Sequence, residues 1–482
     1  MENKQTNRTI SRYLSKLKLR PHKSPDPKPV KQQSTMSSQH GQVVALAAII
    51  ADAAKVVEAH YAKSSKPYVP SLDDTEPHPY DELLGAELRT AIQTIEGACA
   101  QLSATVARPN HTIVNKLMSF YEPGCLNVAI TFKIPDILQE KPSGMHISEI
   151  GKKTGIEERK VGRILRLLAT KHVFREVSEN VFANNRLSIQ LLSSNPLSSL
   201  GMHFTDECIK SNVLLSDVLA DKEWGHSYAA NQTAFNKYAN YPDPLFDQER
   251  GAALGARFGL GMIGWGAACE AQAVILEFPW NELGEGASVC DVGGGVGNIT
   301  LQLAKAYPKL QLVLQDLPAT ITQARNEVWP AQCPEAIAEN RIAFEPIDFF
   351  AGPPVSGCDV YYMKNIIHDW PDADCIKILS NIRDAMGPNS RILVQEYILQ
   401  HANRVPDSES AFVQAPAPML PNYGAGRIRQ YNLDLDMMTM LNSEERRLPE
   451  FVKLGEAAGL KFEKLWDFGE TGLVEYRLPS SA

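Results

Sequence analysis

Two ionisable side chains of this 482-residue chain lie at positions where they could transfer a proton. His368 follows the apolar run 358–363, and Glu396 closes the run 391–395. Both runs are predicted strands, and ligands bind outside the carboxyl ends of the strands in an open α/β sheet. A neutral imidazole takes up a proton near pH 7, and a carboxylate on its other nitrogen would fix the tautomer and stabilise the imidazolium. The pair therefore predicts proton transfer at one edge of a sheet.

A glycine cluster upstream of these residues predicts a site for an adenosine-containing cofactor. An apolar run ends at Asp291, the glycine-rich turn 293–297 follows, and a second apolar run ends at Asp316. Glycine lets the backbone approach a ligand, and the Asp316 carboxylate can accept hydrogen bonds from both ribose hydroxyls. The dinucleotide pattern requires a glycine where this chain has Asn298, and the Gly-Lys-Ser/Thr of nucleotide-triphosphate sites never appears, so neither NAD nor ATP is favoured. Glycines that only close a tight turn are the alternative.

Residues 291–297 resemble the first motif of S-adenosylmethionine-dependent methyltransferases, whose cofactor carries no phosphate. The stretches 364–370, 375–379 and 394–396 resemble, in the same order, the catalytic region of plant and fungal small-molecule O-methyltransferases. The nearest group includes caffeic acid, flavonoid and sterigmatocystin O-methyltransferases, and the likeness runs from about residue 110 to residue 478. It implies methyl transfer from S-adenosylmethionine to a phenolic or polyketide-like hydroxyl, with S-adenosylhomocysteine as the product.

The resemblance also implies roles for particular residues. The base of the family corresponds to His368, and its steering carboxylates correspond to Glu396 and Glu445, with Glu444 as a rival because the chain is shorter here than many plant relatives. A phenol with a pKa near 10 is mostly protonated at neutral pH, so a base must remove its proton. The implied cofactor-binding positions are Asp291, Gly293, Gly295, Asp316, Leu317, Asp348, Phe349 and Lys364.

Four residues are candidates for the substrate side. Met438 and Asn442 match substrate positions of the family, and Met262 and Trp265 lie in a glycine-rich run that is expected to face the same space. Methionine and aromatic residues at such positions also occur as ordinary packing. His368 is followed directly by Asp369, but two adjacent ligands do not make a metal site, so no metal is expected.

Apolar periodicity predicts the elements that must position these residues. Helices are predicted at 43–61, 87–106, 126–138, 147–154 and 158–170, followed by a hairpin across 173–182. That order is typical of a winged helix, which in the resembling family serves dimerisation and not DNA binding. The fold class expected is α/β, a Rossmann-like methyltransferase domain preceded by a mainly helical winged-helix dimerisation domain.

Three segments are expected along the chain. Residues 1–40 are predicted to be a disordered basic extension, 41–225 the helical and winged-helix dimerisation domain, and 226–482 the Rossmann-like catalytic domain. Residues 401–427 are rich in Pro, Ser and Ala, which favours a surface insertion without fixed structure. A mobile loop near the site is the alternative.

Composition limits the classes of partner that the chain is expected to bind. The net charge of −8 argues against nucleic acid, and no apolar run reaches the length needed to span a membrane. The eight cysteines are scattered without a metal-like pair, which fits a reducing cytoplasmic setting. The expected partners are a small aromatic hydroxyl substrate and, from the resemblance alone, a second copy of the chain in a homodimer.

Two functions of other classes use the same motifs. One is a regulator that keeps the cofactor fold without catalysis, and the other is a relative repurposed for decarboxylation or hydroxylation. His368, Glu396 and an acid near 445 argue against both, because neither alternative requires a base with steering carboxylates.

Overall fold

A seven-stranded sheet forms the centre of the C-terminal half of the protein, in a computed structural model that describes residues 41–81, 84–245, 248–269 and 272–479. The expected extension 1–40 lies outside these described residues. The strands are β1 (Met145–His146), β2 (Arg175–Ser178), β3 (Val181–Ala183), β4 (Ser288–Val292), β5 (Gln311–Asp316), β6 (Ile342–Pro346), β7 (Val360–Lys364), β8 (Arg391–Glu396), β9 (Lys461–Asp467) and β10 (Gly472–Arg477). The large sheet has the order β6-β5-β4-β7-β8-β10-β9.

This strand order places the candidate residues at one edge. Strands β4 to β8 pair in parallel, and β10 pairs antiparallel with both β8 and β9. The chain moves outward from β4 through β5 to β6 and then returns to β7 beside β4, so the connections change direction between β4 and β7. Ligands bind at such a switch point. The segments after β4 and β7 and the last residue of β8 therefore meet at the carboxyl edge.

Helices cover the sheet and form most of the N-terminal half. Because both faces of the central strands are covered, β4 and β7 are buried along almost their whole length. The helices are α1 (Gln42–Tyr61), α2 (Ala86–Val106), α3 (Pro109–Leu117), α4 (Tyr121–Thr131), α5 (Ile134–Gln139), α6 (Ile147–Thr154), α7 (Glu158–Thr170), α8 (Pro196–His203), α9 (Ile209–Asn212), α10 (Leu215–Leu219), α11 (Ala234–Ala239), α12 (Gln248–Ala268), α13 (Ala273–Glu277), α14 (Asn298–Ala306), α15 (Pro318–Gln323), α16 (Trp329–Gln332), α17 (Pro334–Ala338), α18 (Asp372–Ala385), α19 (Ile428–Leu441) and α20 (Leu448–Ala457).

A small three-stranded sheet of order β1-β3-β2 packs with α4 to α7 around a core of its own. Helix α7 begins where the Glu157 carboxylate accepts hydrogen bonds from the backbone N–H groups of Arg159 (3.1 Å) and Lys160 (3.0 Å). Its apolar face is buried in this core, as its periodicity predicts. The order of helices and hairpin agrees with the sequence, while the winged-helix assignment stays a prediction.

One predicted helix is interrupted. The pattern over 126–138 predicts a single helix, but α4 ends at Thr131 and α5 begins at Ile134. Lys133 between them has a left-handed backbone with φ 50°, which no α-helix accommodates. Pro135 lacks an N–H and is tolerated because it lies in the first turn of α5.

The insertion 401–427 is folded against the N-terminal helical hairpin of α1 and α2, so the expectation of a segment without fixed structure is wrong. Met419 and Tyr423 are buried in a small apolar cluster with Leu46 of α1 and Ala98 of α2. The Gln101 side chain donates a hydrogen bond to the Pro418 carbonyl at 2.7 Å and accepts one from the Leu420 N–H at 2.9 Å. The Pro-, Ser- and Ala-rich composition of the insertion conceals the few apolar residues that attach it to the hairpin.

No helix in the described ranges is long and apolar enough to cross a bilayer.

We expect Gly97→Ala to destabilise the protein by about 1–3 kcal/mol, because a Cβ on Gly97 would collide with the Tyr423 carbonyl oxygen and come within 2.9 Å of Met419 Cε. Gly259→Ala is the matched control, since a Cβ on this helical glycine meets no atom within 4 Å and alanine is the better helix former. The free energy of unfolding in urea measures both. Equal effects of the two substitutions would contradict the packing of the hairpin on the insertion.

Candidate active site

The turn after β7 is held from the end of β8. Asn365 has a left-handed backbone with φ 53°, and a short 3₁₀ turn (Ile367–Asp369) follows it. Glu396 is fully buried, and its Oε1 accepts hydrogen bonds from the N–H groups of Ile366 (3.0 Å) and Ile367 (2.9 Å). The carboxylate at the end of one strand therefore fixes the backbone that carries His368.

His368 lies among three acidic side chains. Its Nδ1 is 2.6 Å from Glu445 Oε1 and 3.7 Å from Glu396 Oε2, and its Nε2 is 3.4 Å from Asp369 Oδ1. The ring and both glutamates are buried. Glu444, the rival of Glu445 in the sequence, is exposed and approaches Arg446 instead at 3.9 Å. The structure thus brings together His368, Glu396 and Glu445.

The electrostatics of this cluster favour a proton on the imidazole. Burial opposes the charged ring, but the carboxylates of Glu445, Glu396 and Asp369 together outweigh it and raise the pKa of His368 above its ordinary value. Burial also raises the pKa of Glu445, against the attraction of the His368 cation. His368 and Glu445 are therefore joined by a short hydrogen bond, and the surrounding carboxylates stabilise a proton on the ring.

Arg446 ties Glu445 to the His368 turn and is a site residue that the sequence reasoning missed. Its guanidinium donates to the carbonyls of Ile367 at 2.9 Å and Trp370 at 2.8 Å, and to Asp372 Oδ1 at 2.9 Å. The side chain is 1% exposed although it follows two glutamates in a charged run that resembles a surface segment. Nothing in the local sequence distinguishes it from its neighbour Arg447.

Two further contacts fix the segment that carries Glu445. The Asp434 carboxylate accepts a hydrogen bond from the Glu445 N–H at 3.0 Å, and the Leu399 N–H donates to the Arg446 carbonyl at 3.0 Å. The second contact belongs to an isolated parallel bridge between Ile398 and Arg446. The chain after α19 is therefore attached directly to the continuation of β8.

The glycine turn after β4 forms an open cradle beside Asp316. Gly293, Gly295 and Gly297 have φ values of 73°, 60° and 93°, which glycine adopts without strain. Asp316 accepts hydrogen bonds from the Gly295 N–H at 2.9 Å and the Leu317 N–H at 2.8 Å. A Cβ on Gly293 would lie 2.6 Å from Ile366, whereas one on Gly295 would meet no atom within 4 Å. The space therefore opens at Gly295, between the turn and β5.

The other predicted cofactor residues surround this cradle in different ways. Asp291 is buried beneath the turn, where it accepts a hydrogen bond from the Thr300 hydroxyl and burial raises its pKa to about 6. Asp348 is exposed and accepts a hydrogen bond from the Phe350 N–H at 2.9 Å. Phe349 packs edge-on to Trp370 at 6.2 Å between ring centroids. Leu317 is 58% exposed and Lys364 is half-buried at the end of β7.

The predicted substrate residues differ in their contacts: some pack in the core, and one binds the backbone of a neighbouring loop. Trp265 is buried, with its ring edge-on to Phe204 (5.8 Å) and Tyr397 (6.2 Å), and Met262 packs against the same core. Met438 is half-buried on α19. Asn442 has φ 59° and donates from Nδ2 to the carbonyls of Ala229 (3.0 Å) and Gln232 (3.2 Å). Its side chain therefore fixes a neighbouring loop.

Comparison with known proteins decides the family. An O-methyltransferase domain model matches residues 267–461, and an O-methyltransferase dimerisation domain model matches residues 115–194. The chain is 43% identical over 440 residues to 3-O-methyltransferase 2 of Phanerochaete chrysosporium. This alignment covers 91% of this chain and 98% of that protein. The chain belongs to the O-methyltransferase family.

Other relatives of this O-methyltransferase agree. O-methyltransferase gedA of Aspergillus terreus is 36% identical in an alignment that covers 79% of this chain and 85% of that protein. The solved structure of the mitomycin 7-O-methyltransferase MmcR is 25% identical, with a TM-score of 0.60 over 80% of this chain and 100% of that one. The α/β methyltransferase fold, the preceding dimerisation domain and S-adenosylmethionine-dependent O-methylation are thereby confirmed.

We expect Arg446→Met to destabilise the protein and to lower kcat, because the carbonyls of Ile367 and Trp370 each lose a buried donor at a cost of about 1–3 kcal/mol. Arg447→Met is the matched control, since that side chain is about two-fifths exposed and pairs with Glu450. Urea unfolding and steady-state kinetics measure both variants. An Arg446 variant that behaves like the Arg447 variant would refute the positioning role.

Proposed function

We propose that this O-methyltransferase methylates a phenolic or polyketide-like hydroxyl of a small molecule, with His368 as the general base and Glu396 and Glu445 as its steering carboxylates. The observation that carries the proposal is the buried 2.6 Å contact between His368 Nδ1 and Glu445 Oε1. The enzyme would comprise a helical dimerisation domain over 41–225 and a catalytic domain over 226–482, as the sequence predicts.

The glycine cradle fits S-adenosylmethionine. The Asp316 carboxylate accepts one backbone N–H on each oxygen and a hydrogen bond from the Thr320 side chain, which leaves a lone pair for a ribose hydroxyl. The exposed Leu317 offers an apolar surface to the adenine. Asp348 and Phe349 would hold the adenine end, and Gly293, Gly295 and Lys364 the amino-acid end, with Asp291 supporting the turn from below. When bound, the cofactor supplies an electrophilic methyl group.

The base acts through the two ring nitrogens. With Nδ1–H donated to Glu445, Nε2 carries the lone pair that takes the proton from the acceptor hydroxyl. The surrounding carboxylates stabilise the imidazolium, and the phenolate oxygen becomes the nucleophile. Trp265, Met262, Met438 and Asn442 would form or fix the acceptor side of the space. Much of the remaining rate enhancement would come from alignment of the reacting atoms.

We propose that this step uses no metal ion, because the ring nitrogen that faces the glutamates and one oxygen of Glu396 are already committed to hydrogen bonds. Glu396 Oε1 accepts two backbone N–H groups, and His368 Nδ1 is committed to Glu445. The charge that steadies the imidazolium therefore comes from carboxylates.

We also propose a homodimer. Large apolar side chains are exposed from α3 to the first residue of α4, next to and within the matched dimerisation domain, and a second copy would cover them. They are Ile113, Val114, Leu117, Met118, Phe120 and Tyr121.

The proposed base is tested with a panel of simple phenols and polyketide aromatics, followed by S-adenosylhomocysteine release. We expect His368→Ala to lose roughly 10²- to 10⁴-fold in kcat, while calorimetric binding of S-adenosylhomocysteine is unchanged. His226→Ala, at an exposed histidine, is the control. Full turnover by the His368 variant would refute the base, and wild-type protein that binds cofactor but methylates no panel member would refute this acceptor class.

The pH profile tests the steering carboxylate. Neutral His368 is the active form, so kcat/KM rises with pH through the pKa of His368, and the raised pKa places this acidic limb above the ordinary histidine value of about 6.5. Glu445→Gln removes a charge that raises this pKa, so the limb should move to lower pH while the plateau falls. Glu444→Gln, at the exposed neighbour, should leave the limb in place. An unmoved limb in the Glu445 variant would contradict the proposal.

A further inference from the structure

A second cluster of chemically active side chains includes a residue of α19, the helix that carries Met438, and takes no part in the proposed methyl transfer. His203 ends α8, Cys208 ends the π-helical turn Phe204–Cys208, and Asp436 lies on α19. His203 Nε2 is 3.4 Å from Cys208 Sγ, and the donor atoms of the three residues all lie within 4.8 Å of one another. His203 and Cys208 are buried and Asp436 is half-buried.

The π-helical turn is what brings His203 and Cys208 together. In an α-helix, residues five apart point about 140° away from each other, because 3.6 residues complete a turn. The wider turn Phe204–Cys208 places the two side chains on one face. Such turns are rare and occur frequently at functional sites. The local backbone is thus arranged so that an imidazole and a thiol converge.

The His203 ring is oriented as metal-binding histidines are. Its Nδ1 is 3.2 Å from Glu207 Oε2, and the Arg257 guanidinium pairs with the other oxygen of Glu207. A hydrogen bond from Nδ1–H to a carboxylate leaves the Nε2 lone pair directed at Cys208, which is the arrangement behind most histidine ligands. The Phe258 ring packs edge-on to His203 at 5.3 Å and shields it.

We propose that His203, Cys208 and Asp436 form a binding site for a thiophilic divalent cation such as zinc. Imidazole nitrogen, thiolate sulfur and carboxylate oxygen are zinc donors, and 3.4 Å is close to the N···S separation that tetrahedral bonds of about 2.0 and 2.3 Å produce. The thiolate and the Asp436 carboxylate balance the charge of the ion, and Arg257 balances Glu207. This site differs from the sequence expectation that the chain holds no metal.

The bound cation would connect two parts of the acceptor side. His203 ends α8 and Cys208 follows it. Helix α8 packs closely on α12, because Leu200 and Leu197 approach Gly261 and Gly264. Asp436 lies two residues before Met438 on α19. The ion would therefore fix α19 to the N-terminal half, and three protein donors leave one coordination position for water.

Cobalt(II) titration of the chelator-treated full-length protein tests the site, since Co²⁺ occupies zinc sites and reports a thiolate ligand by a charge-transfer absorption band. We expect one ion per chain with this band in the wild type. Cys208→Ser should remove the band, His203→Gln and Asp436→Asn should weaken binding by more than about tenfold, and Glu207→Gln should weaken it by roughly 10- to 100-fold.

Cys99→Ser is the matched control, because Cys99 is the exposed thiol most open to adventitious binding. Thermal melting in chelator checks that each variant folds, and added Zn²⁺ should raise the melting temperature of the wild type but not of the Cys208 variant. If Cys208→Ser does not fold, the cobalt affinity of Asp436→Asn tests the site instead. Absence of the band at millimolar cobalt, its survival without Cys208, or its loss without Cys99 would overturn the proposal and leave the cluster as a hydrogen-bonded network.

Discussion

The buried hydrogen bond between His368 and Glu445 is the interaction on which the catalytic half depends. Two glutamates and an imidazole are withdrawn from water together, and unpaired charges in such a place are strongly destabilising. The fold meets part of this cost by pairing: Glu445 Oε1 contacts the ring and Glu396 Oε1 accepts two backbone N–H groups, while the Oε2 atom of each glutamate has no hydrogen-bond partner among the described residues. Removal of either partner would leave a charge without compensation, so the site is held by the same contacts that would give the imidazole its basicity.

This pairing requires segments that are far apart in the chain. Glu396 reaches the His368 turn simply because β7 and β8 are parallel neighbours, but Glu445 lies 77 residues beyond His368. Arg446 closes that gap by binding two carbonyls of the turn, and the Ile398–Arg446 bridge attaches the same segment to the end of β8. The sheet therefore positions His368 and Glu396, and the buried Arg446 outside the sheet positions Glu445.

The features that were predictable from the sequence depend on local rules. The glycine turn, the strand ends that carry His368 and Glu396, and the apolar face of α7 all follow from periodicity and spacing. Features set by distant contacts were missed. The buried Arg446 side chain is held by hydrogen bonds to carbonyls 76 and 79 residues away in the chain. The cluster of His203, Cys208 and Asp436 depends on a π-helical turn, for which no sequence rule exists. The break at Lys133 was overlooked because apolar periodicity continues across it.

The N-terminal hairpin, which precedes both matched domains, packs on residues of the C-terminal half. Glu470, in the turn between β9 and β10, is buried and accepts hydrogen bonds from Arg429 at 2.5 Å and Gln93 at 3.3 Å. Tyr397 donates to the same carboxylate at 3.5 Å, and its ring packs against Trp265. Because Arg429 lies on α19 and Gln93 on α2, loss of the hairpin would leave part of a buried carboxylate unpaired next to α19. The hairpin therefore supports α19 through Glu470.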